Sequence, residues 1–321
     1  MTEFDIIKTY FATQTEHRPD VILGIGDDTA IVKVPAHQEL AITTDSLVSG
    51  IHFLETTKPY DIGYKALAVN LSDLAAMGAT PAWVTLAITL PQQLAQDAWL
   101  QDFCNGFFTL ANRYQVQLIG GNLAHGPLSI TVQALGFVPQ HHAILRSGAK
   151  PNDLIYVTGT LGDAGLALQS LLGKETLPPE DATTLLRRLH QPEPRIATGQ
   201  LLHGDAHAAI DISDGFAADL SHILEQSQVG ATVYVDQLPL SYELKQSIPV
   251  EKAITLALTA GDDYELCFTI PPDKRAQLEK KLSSLPCRLT CVGTIKAEQG
   301  LDLRYQNGNP YHGPISGYQH F

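Results

Sequence analysis

A chain of 321 residues with 21 Lys and Arg against 34 Asp and Glu carries a formal charge of −13 at pH 7. Charge of that sign argues against nucleic acid and anionic membranes as electrostatic partners, and 44% hydrophobic residues exclude disorder as the main theme. At roughly 100–200 residues per domain, the length predicts two globular domains. The opening MTEFDIIKTYF brings acids early and lacks the basic and then apolar stretches of a secretory signal. The most apolar region, Ala66 to Leu90, is interrupted by Asn70, Asp73 and Pro81, so no membrane span is expected. Cysteines at 104, 267, 287 and 291 are too few and scattered for a disulfide scaffold, and a reduced cytoplasm is the expected location.

Helix and strand patterns alternate along the chain without repeats, which predicts a mixed α/β architecture. In the first domain, residues 1–140, strands are expected over Ala30–Val34 and Glu39–Val48, then a long helix from about Asp61 to Met77. Strand Trp83–Leu90, helix Leu94–Tyr114 and strands Gln117–Ile119 and Leu128–Val138 complete it. The run Pro139–Asp153 is dense in turn formers and marks the boundary. In the second domain, residues 150–321, strands are expected at Leu154–Thr158, Ala208–Ile212, Thr232–Val235, Glu265–Ile270 and Arg288–Ile295. Helices are expected at Gly162–Leu172, Asp181–His190, Arg195–His203, Phe216–Gln228 and Pro272–Leu285, before a Gly- and Tyr-rich tail.

The placement of the acids is more informative than their number. Asp45 sits in LAITTDSLV, Asp73 in ALAVNLSDLAAMG, Asp211 and Asp214 in AAIDISDGFAADL, and Asp27 with Asp28 closes VILGIGDD. Each is flanked by residues that belong in a core, where an isolated carboxylate has to be paired, protonated or bound to a cation. Lys65 is the one basic residue near them in sequence. Carboxylates with hydroxyls at Thr43, Thr44 and Ser213 suit a hard cation such as Mg²⁺, which bridges carboxylate to phosphate oxygens. Helix caps and turns are the alternative for each aspartate taken singly; Asp214, in Asp-Gly before a helix, fits both.

Other motifs are weaker. No P-loop, H-R-D or D-F-G run occurs. Gly159–Gly165 follows a strand and enters a helix, but its spacing is that of a tight turn rather than a nucleotide fingerprint. HGDAH lacks the glutamate of a zinc motif, so His203 and His207 are read as solvent-facing. Cys287 and Cys291 are read as packing residues. Gly120-Gly121 either admits a phosphate close to the backbone or makes a turn.

Seven runs, in order and spanning nearly the whole chain, carry a resemblance: GIGDDTA (24–30), TTDSLVSGIHF (43–53), KALAVNLSDLAAMGATPAW (65–83), LIGGN (118–122), RSGAKPNDLIYVTGTLGD (146–163), IDISDG (210–215) and GDDYEL (261–266). Together they resemble the thiamine-monophosphate kinase family. IDISDG alone would indicate only the wider superfamily that includes aminoimidazole ribonucleotide synthetase and selenophosphate synthetase. The resemblance implies a two-domain α/β (α+β) fold, in which an N-terminal sheet with helices binds ATP and Mg²⁺ and dimerises while a C-terminal α/β domain completes the site. It further implies a homodimer paired through N-terminal strands, and direct passage of the ATP γ-phosphoryl to thiamine monophosphate in the last step towards thiamine diphosphate.

Position by position, the resemblance assigns Asp28, Thr43, Thr44, Asp45, Asp73, Asn122, Asp211 and Asp214 to several Mg²⁺ ions, with Asp27 adjoining. Asp45, Asp73 and Asp214 are the catalytic candidates among them. Gly121, Asn122, Arg146 and Ser213 fall at nucleotide-contacting positions, and His52, Asp262 and Tyr318 at substrate-contacting ones. Read by themselves, Arg146 could make an interdomain salt bridge, His52 an exposed loop histidine and Tyr318 aromatic cover at a chain end. As a ligand contact, Tyr318 suits a cationic thiazolium or a pyrimidine by stacking. The family usually shows aspartate where this chain has Asn122, which removes one negative charge, and often glutamate where it has Asp262. Another ATP-using superfamily member is the rival enzyme, although no Cys precedes Cys104 as a selenophosphate synthetase would require. A non-catalytic Mg²⁺-nucleotide sensor is the rival of another class.

Overall fold

The structure is a computed structural model that describes residues 2–13 and 17–319. The chain divides into two compact units, Met1–Leu74 with Ala79–His141, and Ala75–Gly78 with His142–Phe321. In the first unit a short helix α1 (Glu3–Ile6), with a capping box from Thr2, leads to a small ribbon of β1 (Val21–Leu23) and β2 (Ile31–Val32). Then come β3 (Gln38–Val48), α2 (Pro59–Ala76), β4 (Thr80–Leu90), α3 (Asp97–Arg113), β5 (Gln117–His125) and β6 (Ser129–Pro139). The sheet order is β3-β6-β4-β5, antiparallel except for β4 beside β5. Every residue of α2 from Ile62 to Ser72 is buried, which matches its lack of an exposed polar stripe.

The second unit contains β7 (Leu154–Thr158), α4 (Asp163–Leu171), α5 (Pro179–His190), α6 (Ile196–Leu201), β8 (Ala208–Asp211), α7 (Phe216–Ser227) and β9 (Gly230–Tyr234). They are followed by α8 (Tyr242–Ser247), α9 (Val250–Thr259), β10 (Leu266–Ile270), α10 (Arg275–Leu282), β11 (Leu289–Lys296) and β12 (Gly300–Arg304). Its six-stranded sheet runs β12-β9-β11-β7-β10-β8, with only β12 and β9 parallel among these pairs. α7 buries Phe216, Leu220, Ile223 and Leu224, the i, i+4, i+7, i+8 stripe of one helical face, in the same core as Ile210 of β8 and Cys267 of β10. Burial of each such side chain contributes about 1.5–3 kcal/mol.

Several expectations shift. The helix expected from Leu94 begins at Asp97, because Gln92–Leu94 form a 3₁₀ turn. The strand expected to stop at Ile119 runs on to His125, straight through the glycine pair. α8, α9 and β12 were not expected. All four cysteines are free thiols, and Cys104, whose thiol burial pushes up to about 12, is an inert core residue. Among the described residues, no helix is long and apolar enough to cross a membrane.

Candidate functional site

In the first unit the pleat of β3 sorts the hydroxyl–acid run TTDS between two faces. Thr43 donates from Oγ1 to Oδ2 of Asp73 on α2 (2.5 Å), and the Asp45 amide donates to Oδ1 of buried Asn70 on the same helix (3.1 Å). Side chains alternate along a strand, so Thr44 lies on the opposite face. There its Oγ1 accepts from Nε2 of Gln133 (3.2 Å), and Ser46 meets Thr131 across β6 (2.7 Å). The Thr44 side chain therefore cannot join Thr43 and Asp73; only its backbone carbonyl remains for a metal role. That outer face also carries Ile42 and Val48, both exposed.

Asp73 is not a helix cap. It sits in the last turn of α2, at the end where the helix dipole disfavours an anion and where no basic residue stands. A hydroxyl donor from Thr43 satisfies one lone pair without cancelling the charge. His52 is held by a local turn after β3, with its Nδ1 accepting from the Val48 amide (3.0 Å), so the ring is half-buried and anchored rather than a free loop histidine.

Gly120 and Gly121 make neither a turn nor a free loop. They pair with Thr85 and Leu86 of β4 just past a register shift. A Cβ on Gly121 would stand 1.9 Å from the Leu86 carbonyl oxygen, whereas one on Gly120 would meet nothing within 4 Å. Gly121 is thus required by strand-to-strand approach. Beside it opens a cavity of about 630 Å³ with apolar walls from Phe4, Ile7, Phe11 and Ile88, and with Asp27, Asp28, Gly121 and Asn122 among its lining. The structure so gathers the GDD loop and the GGN strand, far apart in sequence, around one chamber.

In the second unit, β8 ends at Asp211, which is buried, and the chain turns through Ser213-Asp214-Gly215 into α7. The amides of Ser213, Asp214 and Gly215 all donate to Oδ2 of Asp219, at 3.0, 3.0 and 3.1 Å. Asp219 thus fastens the turn that leads into α7, whose N-cap Gly215 has no side-chain cap, so the Asp214 carboxylate does not take the capping role that Asp-Gly suggested. Burial pushes the Asp219 carboxyl up to about 7, against the pull of the three amides. The turn gathers other expected residues: the Asp262 amide donates to the Ser213 carbonyl (2.9 Å) and the Tyr318 amide to the Asp214 carbonyl (2.9 Å).

Asp262 and Tyr264 are non-glycine residues with φ of 69° and 48°, a costly backbone that only firm surroundings maintain. Between them Asp263 accepts the Gly162 amide (2.8 Å) at the start of α4, and burial raises its carboxyl well above the usual range. Glu265 takes the Arg195 guanidinium through two bonds (2.6 and 2.5 Å) and the Thr158 hydroxyl (2.6 Å). Gly159–Gly165 is thus a strand-to-helix turn whose Gly162 amide is occupied by a carboxylate.

Arg146 is exposed. Its segment is fastened by Ser227, whose Oγ accepts the amides of Gly148 and Ala149 (both 3.1 Å). His203 and His207 are not solvent-facing as expected. His203 sets Nδ1 on the His142 carbonyl (2.9 Å) and Nε2 on the Gly78 carbonyl (2.8 Å), and His207 bonds Oδ2 of buried Asp153 (2.8 Å).

Sequence reasoning missed Asp219 and Ser227. Both touch the site-bearing segments only through backbone groups, although an acid one turn inside a helix that follows Asp-Gly was a usable signal. Among the described residues, no three His, Cys, Asp or Glu side chains stand together in metal-holding geometry. The donor set itself fits a hard cation: oxygen donors throughout, with Asp73 placed at the wrong end of a dipole and satisfied by a neutral hydroxyl.

Comparison with known proteins defines the class. AIR synthase related protein, N-terminal domain, matches residues 26–138, and the C-terminal domain of the same group matches residues 150–306. The chain therefore has the two-domain α/β fold of AIR synthase-related proteins. It is 48% identical to the thiamine-monophosphate kinase of Escherichia coli K12 over 99% of this chain and 98% of that one. The crystal structure of thiamine-monophosphate kinase from Stenotrophomonas maltophilia superposes with a TM-score of 0.86 at 45% identity, covering 92% of this chain and 93% of that one. AaThiL complexed with AMPPCP and TMP gives 0.78 at 32% identity, with 92% of each chain covered. The chain belongs to the thiamine-monophosphate kinase family, and it is an enzyme of the kinase type.

The glycine pair supplies a test of the strand geometry. Gly121→Ala is expected to lose about 3 kcal/mol of stability because its methyl meets backbone that cannot swing aside, while Gly120→Ala stays within about 1 kcal/mol, the loss of an unclashing in-strand glycine being small or favourable. Urea midpoints of the two variants check this; equal midpoints would contradict the strand pairing described.

Proposed function

We propose that this chain transfers the γ-phosphoryl of ATP in line to the phosphate of thiamine monophosphate, giving thiamine diphosphate and ADP. The observation that carries the reading is the cavity of the first unit, in which Asp27, Asp28, Gly121 and Asn122 edge an apolar chamber of about 630 Å³, within the usual size range of small-molecule sites. Family membership and the fold shared with a relative described as complexed with AMPPCP and TMP support the same assignment. The apolar walls suit a nucleobase, and the acidic edge suits phosphates that arrive with cations.

The acceptor is a phosphate monoester whose terminal oxygen is already anionic near neutral pH, so no strong general base is required. What the protein has to supply is orientation and relief of repulsion between two polyanions. Within the first unit, Asp28, Thr43, Asp45, Asp73 and Asn122, with the Thr44 carbonyl, would hold Mg²⁺; within the second, Asp211 and Asp214 would do so. Bound Mg²⁺ supplies the positive charge that draws donor phosphates to these carboxylates. Arg146 serves as a fixed-charge clamp on the nucleotide, with Ser213 beside it in role. His52, Asp262 and Tyr318 orient the thiamine moiety, the aromatic ring by stacking on a cationic heterocycle. The protein works in the cytoplasm as a homodimer, and the exposed β3–β6 face with Ile42 and Val48 supports pairing of two copies there.

Incubating the chain with ATP, Mg²⁺ and thiamine monophosphate should yield thiamine diphosphate and ADP in equal amounts by chromatography; tight ATP binding without product would favour a nucleotide sensor. Asp73→Asn should fold yet lose about 100-fold or more in kcat, as expected when charge stabilisation of phosphoryl transfer is removed. A folded Asp73→Asn protein with normal rates would refute its metal role. Mg²⁺ titration should show that Asn122→Asp lowers the half-saturating concentration, since it restores a charge to the set; an unchanged value would exclude Asn122 from it. Light scattering should give twice the mass of one chain.

A further inference from the structure

α7 carries two polar side chains whose bonds leave the helix for the two segments that bear nucleotide-assigned residues. In its first turn, buried Asp219 receives three consecutive amides from Ser213, Asp214 and Gly215 on one carboxylate oxygen. Successive N–H groups aimed at one point form the concavity that proteins use to bind anions, and here the chain's own carboxylate fills it. These amides are consequently not a phosphate cradle; the side chains of Ser213 and Asp214 lie outside this bonding and remain for a ligand.

In the last turn Ser227 accepts the amides of Gly148 and Ala149 and donates to the Arg146 carbonyl at 3.3 Å. One donor and two acceptor positions exhaust the capacity of a hydroxyl. Between the two ends Leu220, Ile223 and Leu224, at most 4% exposed, fix the helix in its core.

We propose that α7 is a two-ended brace for the phosphate-transfer site, with Asp219 and Ser227 as positioning residues: Asp219 sets the Ser213–Gly215 turn and Ser227 sets the Arg146–Ala149 turn. What those turns bind rests on the kinase reading; the brace itself does not. Neither residue is assigned a contact with a reactant. Asp219→Asn keeps the shape but halves the acceptor capacity and places an NH₂ donor among amides. Ser227→Ala deletes all three bonds from a half-buried helix end. Ser227→Thr keeps the hydroxyl, and Glu225→Ala alters an exposed position on the same helix.

Amide exchange by mass spectrometry and steady-state kinetics on the full chain test the brace. Asp219→Asn should speed exchange over 213–215 about tenfold or more and lower kcat by a similar factor, with KM for ATP within about threefold; loss of a charge-assisted hydrogen bond corresponds to such factors. Ser227→Ala should speed exchange at 148–149 and raise KM for ATP about fivefold with kcat nearly unchanged, and Ser227→Thr should restore both. Glu225→Ala should match wild type. Unchanged exchange in folded Asp219→Asn and Ser227→Ala, or equal kinetic losses in Glu225→Ala, would overturn the proposal. If Asp219→Asn fails to fold, Ser227→Ala with its threonine rescue decides. If the wild-type chain makes no thiamine diphosphate, the kinase reading falls, and the exchange measurements still decide the brace. Normal turnover in both variants beside an active wild type removes the brace and leaves the reading intact.

Discussion

Three amides converging on the Asp219 carboxylate show how this chain keeps a buried acid in place with neutral donors. Hydrogen-bond donors that carry no charge satisfy lone pairs, although burial still pushes this carboxyl up to about 7. Neutral donors recur at other acids: Asp73 takes the Thr43 hydroxyl and Asp263 the Gly162 amide, while Asp163 takes the hydroxyls of Thr160 and Ser241 with the Arg188 guanidinium 3.9 Å away. Contrast Glu265, held by the Arg195 guanidinium, and Asp205, held by Lys281, neither of which was assigned to a ligand. A carboxylate paired with arginine has its field cancelled locally; one held by amides still attracts a divalent ion.

Much of the fold was readable from periodicity. Long segments with a single face or an unbroken apolar run, such as β3, α3, β6 and α7, lie close to their expected places. α9 escaped because EKAITLALTA mixes β-branched and small residues and carries no strong charge alternation; the helix is set by burial of Ala253, Ile254, Ala257 and Leu258 on one face. β12 escaped because five residues in a Gly-rich tail acquire strand character only from the parallel partner β9. No local signal reports a partner so distant in sequence.

The site residues were legible as types and less so as geometry. A run such as TTDS reads as one polar cluster, yet period-two alternation sends Thr43 and Asp45 to α2 and Thr44 away from it. Gly121 reads as a phosphate contact, yet the Leu86 carbonyl beside it already demands a glycine. The supporting residues were invisible for a related reason. Asp219 and Ser227 act on backbone atoms, and which backbone they reach depends on how α7 lies along its sheet.

The net charge of −13 acquires a narrower meaning in this setting. At physiological ionic strength, exposed charges are screened over about 8 Å, so most surface acids contribute little where phosphates would bind. Under the proposed reading, the aspartates near the turn at 213–215 and on α2 are the ones that matter. A polyanionic substrate entering without cations would meet those carboxylates unaided, and repulsion between like charges would be strong in a partly desolvated site. Under the proposed reading, a substrate entering with cations brings these carboxylates positive partners. On that reading the same acids would act as a filter that disfavours bare phosphate and favours its metal complex, a form of selection that does not depend on recognising the rest of the molecule.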